Sequence, residues 1–280
     1  MLPDFIIIGG MKCGSSSLYA YLSHHSQISM SFIKEPNYFV AEKNYSNGID
    51  WYMSLFESDG IQICGEASTN YTKYPLFKKV PERIYKHNPN IKLIYILRDP
   101  VERFVSHYTH ARSSKLFSND ITDVINNFSE YNHLINCSRY YMQIEKYLDF
   151  FPTENIMLVT LEEFSNNVID VLNRVVIFLG LQGFDAFKDF KIYNSSSKKT
   201  EDNRLGGFLD KFSVPLVIEK CPWKIKLAYK YFTQKQIVKS ELSADQKKKI
   251  IDDLAEDVSK LTNKLDVNVL GWENFNRLSS

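Results

Sequence analysis

Hydrophobic residues along the chain fall into short continuous runs, separated by segments in which apolar residues recur at helical spacing. Runs of this length that are bounded by turn residues indicate buried strands. Strands that alternate with helices are typical of βαβ units on a parallel sheet, because the crossover helices cover both of its faces. The predicted strands are Asp4–Ile8, Ile61–Cys64, Lys92–Leu97 and Ile156–Thr160.

Two later segments have the pattern of amphipathic helices. Ser138–Phe151 places apolar side chains on one helical face, and Pro152 ends the segment. Ser243 and Gln246 form a capping-box pattern before a second such helix. Residues 201–240 fit the alternation poorly and are too few for a core of their own. We therefore predict an α/β fold with a single domain over residues 1–280 and an insertion or lid at about 201–240.

Composition and charge narrow the classes of function. A hydrophobic content of 44% in 280 residues suffices for a substantial core. The net charge of +1 and the pI near 7.6 predict no bulk attraction to nucleic acid or to an anionic membrane. The four cysteines show no spacing typical of zinc sites, so reduced thiols are expected. We predict a soluble, cytoplasmic protein without a membrane anchor, because no apolar run reaches roughly 18 residues and the first strand leaves no room for a signal peptide.

The segment after the first predicted strand has the layout of a phosphate-binding loop. Gly9 and Gly14 have the spacing of such a loop, and the serines Ser15–Ser17 begin the following helix. Backbone N–H groups and a helix N-terminus would face an anion there. The lysine, Lys12, precedes the glycine, whereas a nucleotide triphosphatase places it directly after. A strand–helix turn without a ligand fits this segment, taken alone, equally well.

A second strand end carries residues suited to a phosphate. The strand Lys92–Leu97 is followed by Arg98, Asp99 and a helix that contains Ser106. Open α/β sheets bind ligands at the carboxyl ends of their strands, where an arginine and a serine can clamp a phosphate monoester. Alone, Arg98 fits a helix-cap ion pair and Ser106 a surface position. Two anion-binding segments at two strand ends make a ligand the stronger interpretation.

Together these residues resemble the sulfotransferases that use 3′-phosphoadenosine 5′-phosphosulfate (PAPS), most closely their heparan-type and bacterial tailoring branch. The resemblance spans nearly the whole chain, including KEPNYF at Lys34–Phe39, GEASTNYT at Gly65–Thr72 and LGWEN at Leu270–Asn274. It implies a P-loop-like three-layer sandwich, with a central parallel sheet flanked by helices. It also implies PAPS as co-substrate, adenosine 3′,5′-bisphosphate (PAP) as product, and no required metal. The family loop K-x-G-S/T-S/T, which binds the 5′-phosphosulfate, is matched by Lys12-Cys13-Gly14-Ser15-Ser16, with Ser17 next.

The resemblance also implies roles for single residues. Lys12 would stabilise the bridging oxygen as the S–O bond breaks, and Arg98 with Ser106 would hold the 3′-phosphate. Glu66 would be the general base, its pKa raised by partial burial, in preference to the alternative of a helix-capping role alone. Lys34 would be a second catalytic cation, which the motif match favours over a solvated turn.

The late loop Phe190–Thr200 departs from the family pattern. Many members close the 3′-phosphate site with a basic loop that contains glycine, and this loop has none. Ser197, Lys198 and Lys199 would bind the donor in its place. A flexible polar linker would have the same composition.

Two other functions stay open at the level of sequence. A P-loop kinase would use ATP, with Asp99 as a ligand of Mg²⁺. A non-catalytic nucleotide-binding protein would keep the donor site and would not need Glu66. For a sulfotransferase, the near-neutral charge favours a small-molecule acceptor with a hydroxyl or amine, such as a polyketide, glycolipid or guanidinium alkaloid, over an anionic polysaccharide. Aromatic residues within 201–240 would wall its pocket or cap the core.

Overall fold

A parallel sheet of five strands lies at the centre of the protein, in the spatial order β2-β3-β1-β4-β5. The computed structural model describes residues 1–57, 60, 62–114, 116–117, 120–182, 200–202, 234–236 and 240–275. The strands are β1 Phe5–Gly9, β2 Ile28–Met30, β3 Ile63–Ala67, β4 Lys92–Leu97 and β5 Ile156–Thr160.

The described helices flank this sheet, so the predicted α/β fold with a central parallel sheet is confirmed. Each strand except the last is followed by at least one helix before the next strand, as parallel pairing requires. The helices are α1 Ser15–Leu22, α2 Gly48–Met53, α3 Val80–His87, α4 Pro100–Ser113, α5 Ile121–Asn126, α6 Phe128–Asn136, α7 Tyr140–Leu148, α8 Leu161–Asn166, α9 Val168–Phe178 and α10 Ala244–Leu265.

The core is centred on β1 and β4, which pair with each other in the middle of the sheet. Their side chains are fully buried from Phe5 to Ile8 and from Leu93 to Leu97. Both faces of these strands are covered, which is why their sequences are continuous apolar runs without alternation. Gly65 on the neighbouring β3 leaves room for this packing, since a Cβ there would lie 2.1 Å from the Phe5 ring.

The strands differ from the prediction at three places. β1 lies one residue later than the predicted Asp4–Ile8. The three-residue strand β2 was not predicted, because so short a run has no detectable period. β3 begins at Ile63 and ends at Ala67, three residues beyond the predicted end at Cys64. Glu66 therefore lies within a strand and not in the loop that follows one.

The closing helix α10 forms as predicted and stabilises a second helix. The Ser243 hydroxyl accepts the N–H of Gln246 at 3.2 Å, and the Gln246 side chain accepts the N–H of Ser243 at 2.9 Å, which completes the capping box. Farther along, Asp257 accepts the N–H groups of Tyr141 and Met142 at the start of α7. Since α7 has no side-chain cap of its own, α10 supplies one.

The predicted insertion lies almost entirely outside the described residues. Within it, β6 (Thr200–Asp202) and β7 (Gln234–Gln236) pair as an antiparallel two-stranded sheet. The single-domain organisation over residues 1–280 stays a prediction. Among the helices that the structure describes, none combines the length and the apolar character needed to cross a membrane.

Candidate active site

A cavity of about 380 Å³ opens at the carboxyl ends of the strands. Each of the five strands is followed by at least one residue that lines it, as expected for a ligand site in an open parallel sheet. The lining residues are Met11, Lys12, Gly14, Ser15, Ser16, Ser17, Lys34, Glu35, Thr69, Arg98, Ser106, His110, Leu161 and Ser165.

The loop between β1 and α1 is held by main-chain hydrogen bonds. Gly10 donates its N–H to the carbonyl of Ile96 on β4 at 2.7 Å, which ties the loop to the neighbouring strand. Gly14 precedes α1 with a φ of 98°, and a Cβ there would lie 2.8 Å from the Leu161 side chain, so glycine is required. Ser17 donates its N–H to the carbonyl of Gly14 at 2.9 Å, so the N–H groups of Ser15 and Ser16, which both line the cavity, are the ones that an anion there can bind.

The structure brings the two predicted anion-binding segments together. Arg98 donates to the carbonyl of Lys12 at 3.4 Å, although the two residues are 86 positions apart. The Tyr140 hydroxyl donates to the carbonyl of Arg98 at 2.8 Å and accepts its N–H at 3.3 Å, which fixes the backbone at the end of β4. The Arg98 side chain also pairs with Glu102 at 3.3 Å. Lys12 and Arg98, one cation from each segment, thus line the same cavity.

Cys13 belongs to the loop, but its side chain points into the core. The thiol is fully buried and lies 3.6 Å from the Tyr140 hydroxyl. Burial raises the pKa of the Cys13 thiol to about 11, so it stays protonated. The Cys13 N–H donates to the carbonyl of Gly10 at 3.1 Å, which closes the turn. This predicted donor-binding residue shapes the loop and does not line the cavity.

Helix α4 carries both cavity residues and a buried arginine. Ser106 and His110 line the cavity. Arg103, one turn before Ser106, is fully buried and donates to Ser138 at 2.6 Å, to the carbonyl of Leu134 at 2.6 Å and to Nδ1 of His107 at 3.0 Å. Arg103 thus stabilises the packing of α4 on α6 and α7.

The turn after β2 carries the carboxylate that lines the cavity. Lys34 pairs with Glu35 at 2.7 Å. Glu35 donates its N–H to the carbonyl of Ala67 at 2.9 Å, and its carboxylate accepts the N–H of Thr69 at 2.7 Å. These bonds fasten the turn to the carboxyl end of β3. The sequence motif contained Glu35, but no local pattern indicated that it faces the same cavity as Lys12.

Glu66 lies behind this turn and is fully buried. Its carboxylate accepts hydrogen bonds from the hydroxyls of Tyr71 and Ser68, both at 2.7 Å, and of Tyr52 at 3.0 Å. Burial raises the pKa of the Glu66 carboxyl to about 7, and the three hydroxyl donors limit that rise. This position departs from the expectation of a partly buried base that faces the crevice.

Comparison with known proteins identifies the family. A family model described as "Sulfotransferase domain" matches residues 2–249. The chain belongs to the sulfotransferase family. This membership confirms the resemblance that the loop at Lys12 and the strand end at Arg98 indicated.

Curated relatives of this sulfotransferase include heparan sulfate enzymes. A bifunctional heparan sulfate N-deacetylase/N-sulfotransferase of Drosophila melanogaster is 28% identical over 214 residues, which cover 65% of this chain and 20% of that protein. Heparan sulfate glucosamine 3-O-sulfotransferase 5 of Mus musculus is 32% identical over 190 residues, which cover 64% of this chain and 54% of that protein. The matched region thus spans between a fifth and about half of these two relatives.

The fold agrees with a solved sulfotransferase structure. The crystal structure of a sulfotransferase from Alicyclobacillus acidocaldarius superimposes with a TM-score of 0.71. The match covers 97% of this chain and 99% of that one, at 24% sequence identity. At this identity the likeness supports the fold, and the residues of the cavity have to be argued from their own geometry.

Asp99 does not fit the role of a magnesium ligand in a kinase. One of its oxygens accepts the N–H groups of Val101 and Glu102 and caps α4. The other oxygen accepts both the backbone and the side-chain N–H of Asn274. Asp99 is nearly fully buried and all these bonds would compete with a metal. The LGWEN segment, whose Trp272 donates to Glu162, thus supports the end of β4.

Within the described residues, one group of side chains has the spacing of a metal site. The ligand atoms of His107, His133 and Cys137 lie within 4.8 Å of one another. Arg103 can only donate, so Nδ1 of His107 accepts its hydrogen bond and the ring proton lies on Nε2. Burial, with Lys73 and Arg103 nearby, lowers the pKa of His133 to about 4. The positive charges of Lys73 and Arg103, and the Nδ1 atom of His107 that already accepts a hydrogen bond, disfavour a metal cation at this group.

A second cavity, of about 480 Å³, lies beside β5 and the end of α10. Its walls include the aliphatic side chains of Ile144, Leu148 and Leu158. Its arginine, Arg174, is already paired with Glu163 at 3.4 Å. This cavity does not combine strand ends, a helix N-terminus and cations, so the smaller cavity is the stronger candidate for chemistry.

Proposed function

We propose that this sulfotransferase moves a sulfuryl group from PAPS to a hydroxyl or amine of a small-molecule acceptor by in-line attack, with a glutamate as general base. One observation carries the proposal: a single cavity at the strand ends contains three cations, a helix N-terminus and a carboxylate. The cations suit a donor with two anionic ends, and the carboxylate suits removal of a proton from the acceptor. The cations are Lys12, Lys34 and Arg98.

The donor is assigned to the side of the cavity formed by β1 and β4. The N–H groups at the start of α1 and the hydroxyls of Ser15, Ser16 and Ser17 bind the 5′-phosphosulfate. Arg98 and Ser106 bind the 3′-phosphate, the group that distinguishes PAPS from ATP. The late-loop residues Ser197, Lys198 and Lys199 remain proposed contacts of the 3′-phosphate and lie outside the described residues.

Lys12 acts on the leaving group. As the acceptor atom attacks sulfur, the S–O bond to the 5′-phosphate breaks and its electron pair stays on that phosphate oxygen, which yields PAP. A lysine beside this oxygen stabilises the developing negative charge. In this proposal the cations that line the cavity have the charge-neutralising role that Mg²⁺ has in a kinase, so we expect the step to proceed without a metal.

Glu35 is better placed than Glu66 to act as the base. A general base must reach the proton that it removes, directly or through one water. Glu35 lines the cavity and is 31% exposed, whereas Glu66 is fully buried and already accepts three hydrogen bonds. We therefore assign proton removal to Glu35. Lys34, at 2.7 Å from its carboxylate, supplies positive charge close to the group in transfer.

The acceptor is proposed to be a small, partly apolar molecule. Phe32 and Ile33 directly precede the Lys34–Glu35 pair and are 60% and 44% exposed, so apolar surface borders the site. The near-neutral net charge also disfavours a long anionic polymer. A secondary metabolite in the cytoplasm fits these properties. A heparan-type polysaccharide is the second candidate, because two of the relatives carry that substrate in their names.

Transfer of label from [³⁵S]PAPS tests the proposal. Purified protein is incubated in EDTA with panels of hydroxylated and amine-bearing metabolites and, separately, with heparan-type polysaccharides. We expect labelled small-molecule product without added metal, and loss of that product in Lys12→Ala. Labelling of the polysaccharide alone would favour the second candidate. Absence of transfer to every acceptor, with phosphoryl transfer from ATP and Mg²⁺, would overturn the proposal.

A further inference from the structure

The buried carboxylate of Glu66 orients the hydroxyls around it. Tyr52 and Tyr71 both direct their hydroxyls to one carboxylate oxygen, and Ser68 directs its hydroxyl to the other. A hydroxyl has one proton and two lone pairs, so a hydroxyl that donates to Glu66 presents only lone pairs elsewhere. Ionised Glu66 therefore turns its neighbours into fixed acceptors.

Two of these acceptors hold the segment that carries Glu35. The Ser68 hydroxyl accepts the N–H of Asn37 at 3.0 Å, and the Tyr71 hydroxyl accepts the N–H of Phe39 at 3.4 Å. Ser68 and Asn37 are 31 positions apart, so the contact joins β3 to the turn after β2. One amide of this turn, at Asn37, and one just after it, at Phe39, are thus bound by hydroxyls that donate their own protons to Glu66.

The turn needs such restraint because its backbone is unfavourable. Glu35 and Asn37 have φ angles of 62° and 51°, in the left-handed region that side chains other than glycine rarely adopt. Such conformations persist only where surrounding bonds determine them. Besides the hydroxyls, the bonds from Glu35 to Ala67 and Thr69 supply this restraint. All of them originate at the carboxyl end of β3, around Glu66.

We propose that Glu66 is a positioning residue that sets the place of the Glu35 carboxylate in the cavity through Ser68, Tyr71 and the Lys34–Asn37 turn. The inference rests on the proposed function, since it takes Glu35 as the base. A carboxylate suits this place better than an amide, because the three hydroxyls all donate and only a carboxylate accepts on both oxygens.

The kinetic test compares Glu66→Gln with Glu35→Gln. Glu66→Gln presents an N–H₂ to one of the hydroxyls, which loosens the turn but keeps the base. We expect kcat to fall by roughly 10–100-fold, within the cost of a misplaced catalytic group, with unchanged affinity for PAP. A wholly structural role would lower the unfolding temperature and leave kcat per folded molecule unchanged. That result would overturn the inference.

A matched pair of tyrosines sharpens the test. Tyr71→Phe and Tyr52→Phe each remove one hydroxyl that donates to the same oxygen of Glu66. Of these two hydroxyls, that of Tyr71 also accepts the N–H of Phe39, two residues after the turn. We expect the larger loss of kcat in Tyr71→Phe. Equal losses would contradict transmission through the turn.

A double-mutant cycle tests the remaining link. If Ser68 acts on the turn through Glu66, the effects of Ser68→Ala and Glu66→Gln on kcat are not additive. Additive effects would show independent roles and would overturn the inference.

Glu35→Gln and Glu66→Gln together distinguish failure of the positioning role from failure of the proposed function. If Glu35→Gln abolishes transfer while Glu66→Gln behaves as wild type, the function stands and the positioning role falls. If Glu35→Gln retains full transfer, Glu35 is not the base and the proposed mechanism falls first. A larger loss in Glu66→Gln than in Glu35→Gln would also overturn the positioning role, since it would make Glu66 the base.

Discussion

The two halves of the cavity reach a defined geometry by different means. The donor half, formed by Met11–Ser17, Arg98 and Ser106, rests on main-chain hydrogen bonds between β1 and β4 and on a helix N-terminus. The acceptor half, formed by the Lys34–Asn37 turn and Thr69, is held by bonds from Glu35 to Ala67 and Thr69 and, in addition, by hydroxyls that donate to the buried Glu66.

Because of this difference, we expect substitutions in the donor half to act locally and substitutions around Glu66 to act on the acceptor half at a distance. In the donor half the backbone is fixed mainly by main-chain hydrogen bonds, to which the Arg98 side chain adds one bond at the carbonyl of Lys12. We therefore expect a substitution there to act mainly at its own position. In the acceptor half the positions of Lys34 and Glu35 depend on hydroxyls that in turn depend on Glu66. A substitution at Glu66 therefore changes a site that it does not touch.

The largest expected effect tests the acceptor half directly. Glu35→Gln keeps the shape of the side chain but cannot take a proton from the acceptor, so we expect turnover to fall by roughly 10²–10⁴-fold. PAP affinity, measured by titration, should stay close to wild type. Glu42→Gln, at an exposed carboxylate of the same segment, is the control and should change neither quantity. Normal turnover in Glu35→Gln would contradict the assignment.

Lys12 tests the donor half with a smaller effect. Lys12→Ala removes the cation beside the leaving oxygen, and loss of one such stabilising group costs roughly 10²–10³-fold in kcat. Because the start of α1 and the Arg98 clamp remain in the variant, PAP affinity should weaken much less than kcat. Lys86→Ala, at an exposed lysine on α3, serves as the control. Loss of affinity without loss of kcat would place Lys12 in ground-state binding only.

Arg98 should show the reverse division between affinity and turnover. Arg98→Ala removes a charged clamp on the 3′-phosphate, and bonds to charged groups contribute about 1.5–3 kcal/mol. We expect PAP to bind roughly 10–100-fold more weakly, measured by calorimetry, with kcat at saturating PAPS nearly unchanged. Arg174→Ala, at a half-exposed arginine outside the cavity, is the control. Unchanged PAP affinity would remove Arg98 from the donor site.

The smallest expected effects concern the pH dependence of stability and activity at Glu66. Burial raises the pKa of its carboxyl from 4.5 to about 7, so the native state holds a proton that the unfolded state releases. Stability should therefore decrease as pH rises from about 4.5 to 7, while turnover should rise through pH 7 as Glu66 ionises and orients its hydroxyls. The titratable groups that face it are Tyr52, Tyr71, Tyr147 and Glu35.

Glu66→Gln should remove both trends, measured by thermal unfolding and by kcat at each pH. Asp257, whose pKa burial raises to about 6, gives a similar stability trend that persists in the variant. The comparison is therefore the difference between wild type and variant at each pH. Identical pH profiles would show that Glu66 does not titrate in this range.

The donor half was predictable from sequence because its signals are local. The loop from Gly9 to Ser17 lies within nine residues, and Arg98 directly follows a continuous apolar run that could only be a buried strand. The structure brings Lys12, Arg98 and Ser106 to one cavity, as neighbouring strand ends require. Cys13 was the exception, because the loop turns its side chain into the core.

The acceptor half was less predictable because its contacts are long-range. Gly65 interrupts the apolar run, so the strand was predicted to end at Cys64 and Glu66 was interpreted as a crevice residue. β3 in fact continues to Ala67, which places Glu66 in the packed layer beneath the site. The position of Glu35 depends on Thr69, 34 positions away, and no local pattern shows that contact.

The most direct test of the account is independent of the acceptor. Calorimetric titration measures the affinity for PAP with and without EDTA. It compares this affinity with that for AMP, which lacks the 3′-phosphate, and with that for ATP in excess Mg²⁺. We expect PAP to bind at least roughly 10-fold more tightly than AMP, because Arg98 would contact the 3′-phosphate. EDTA should have no effect, and Arg98→Ala should abolish the preference. Equal affinity for PAP and AMP, or tight binding that requires Mg²⁺ and ATP, would contradict it.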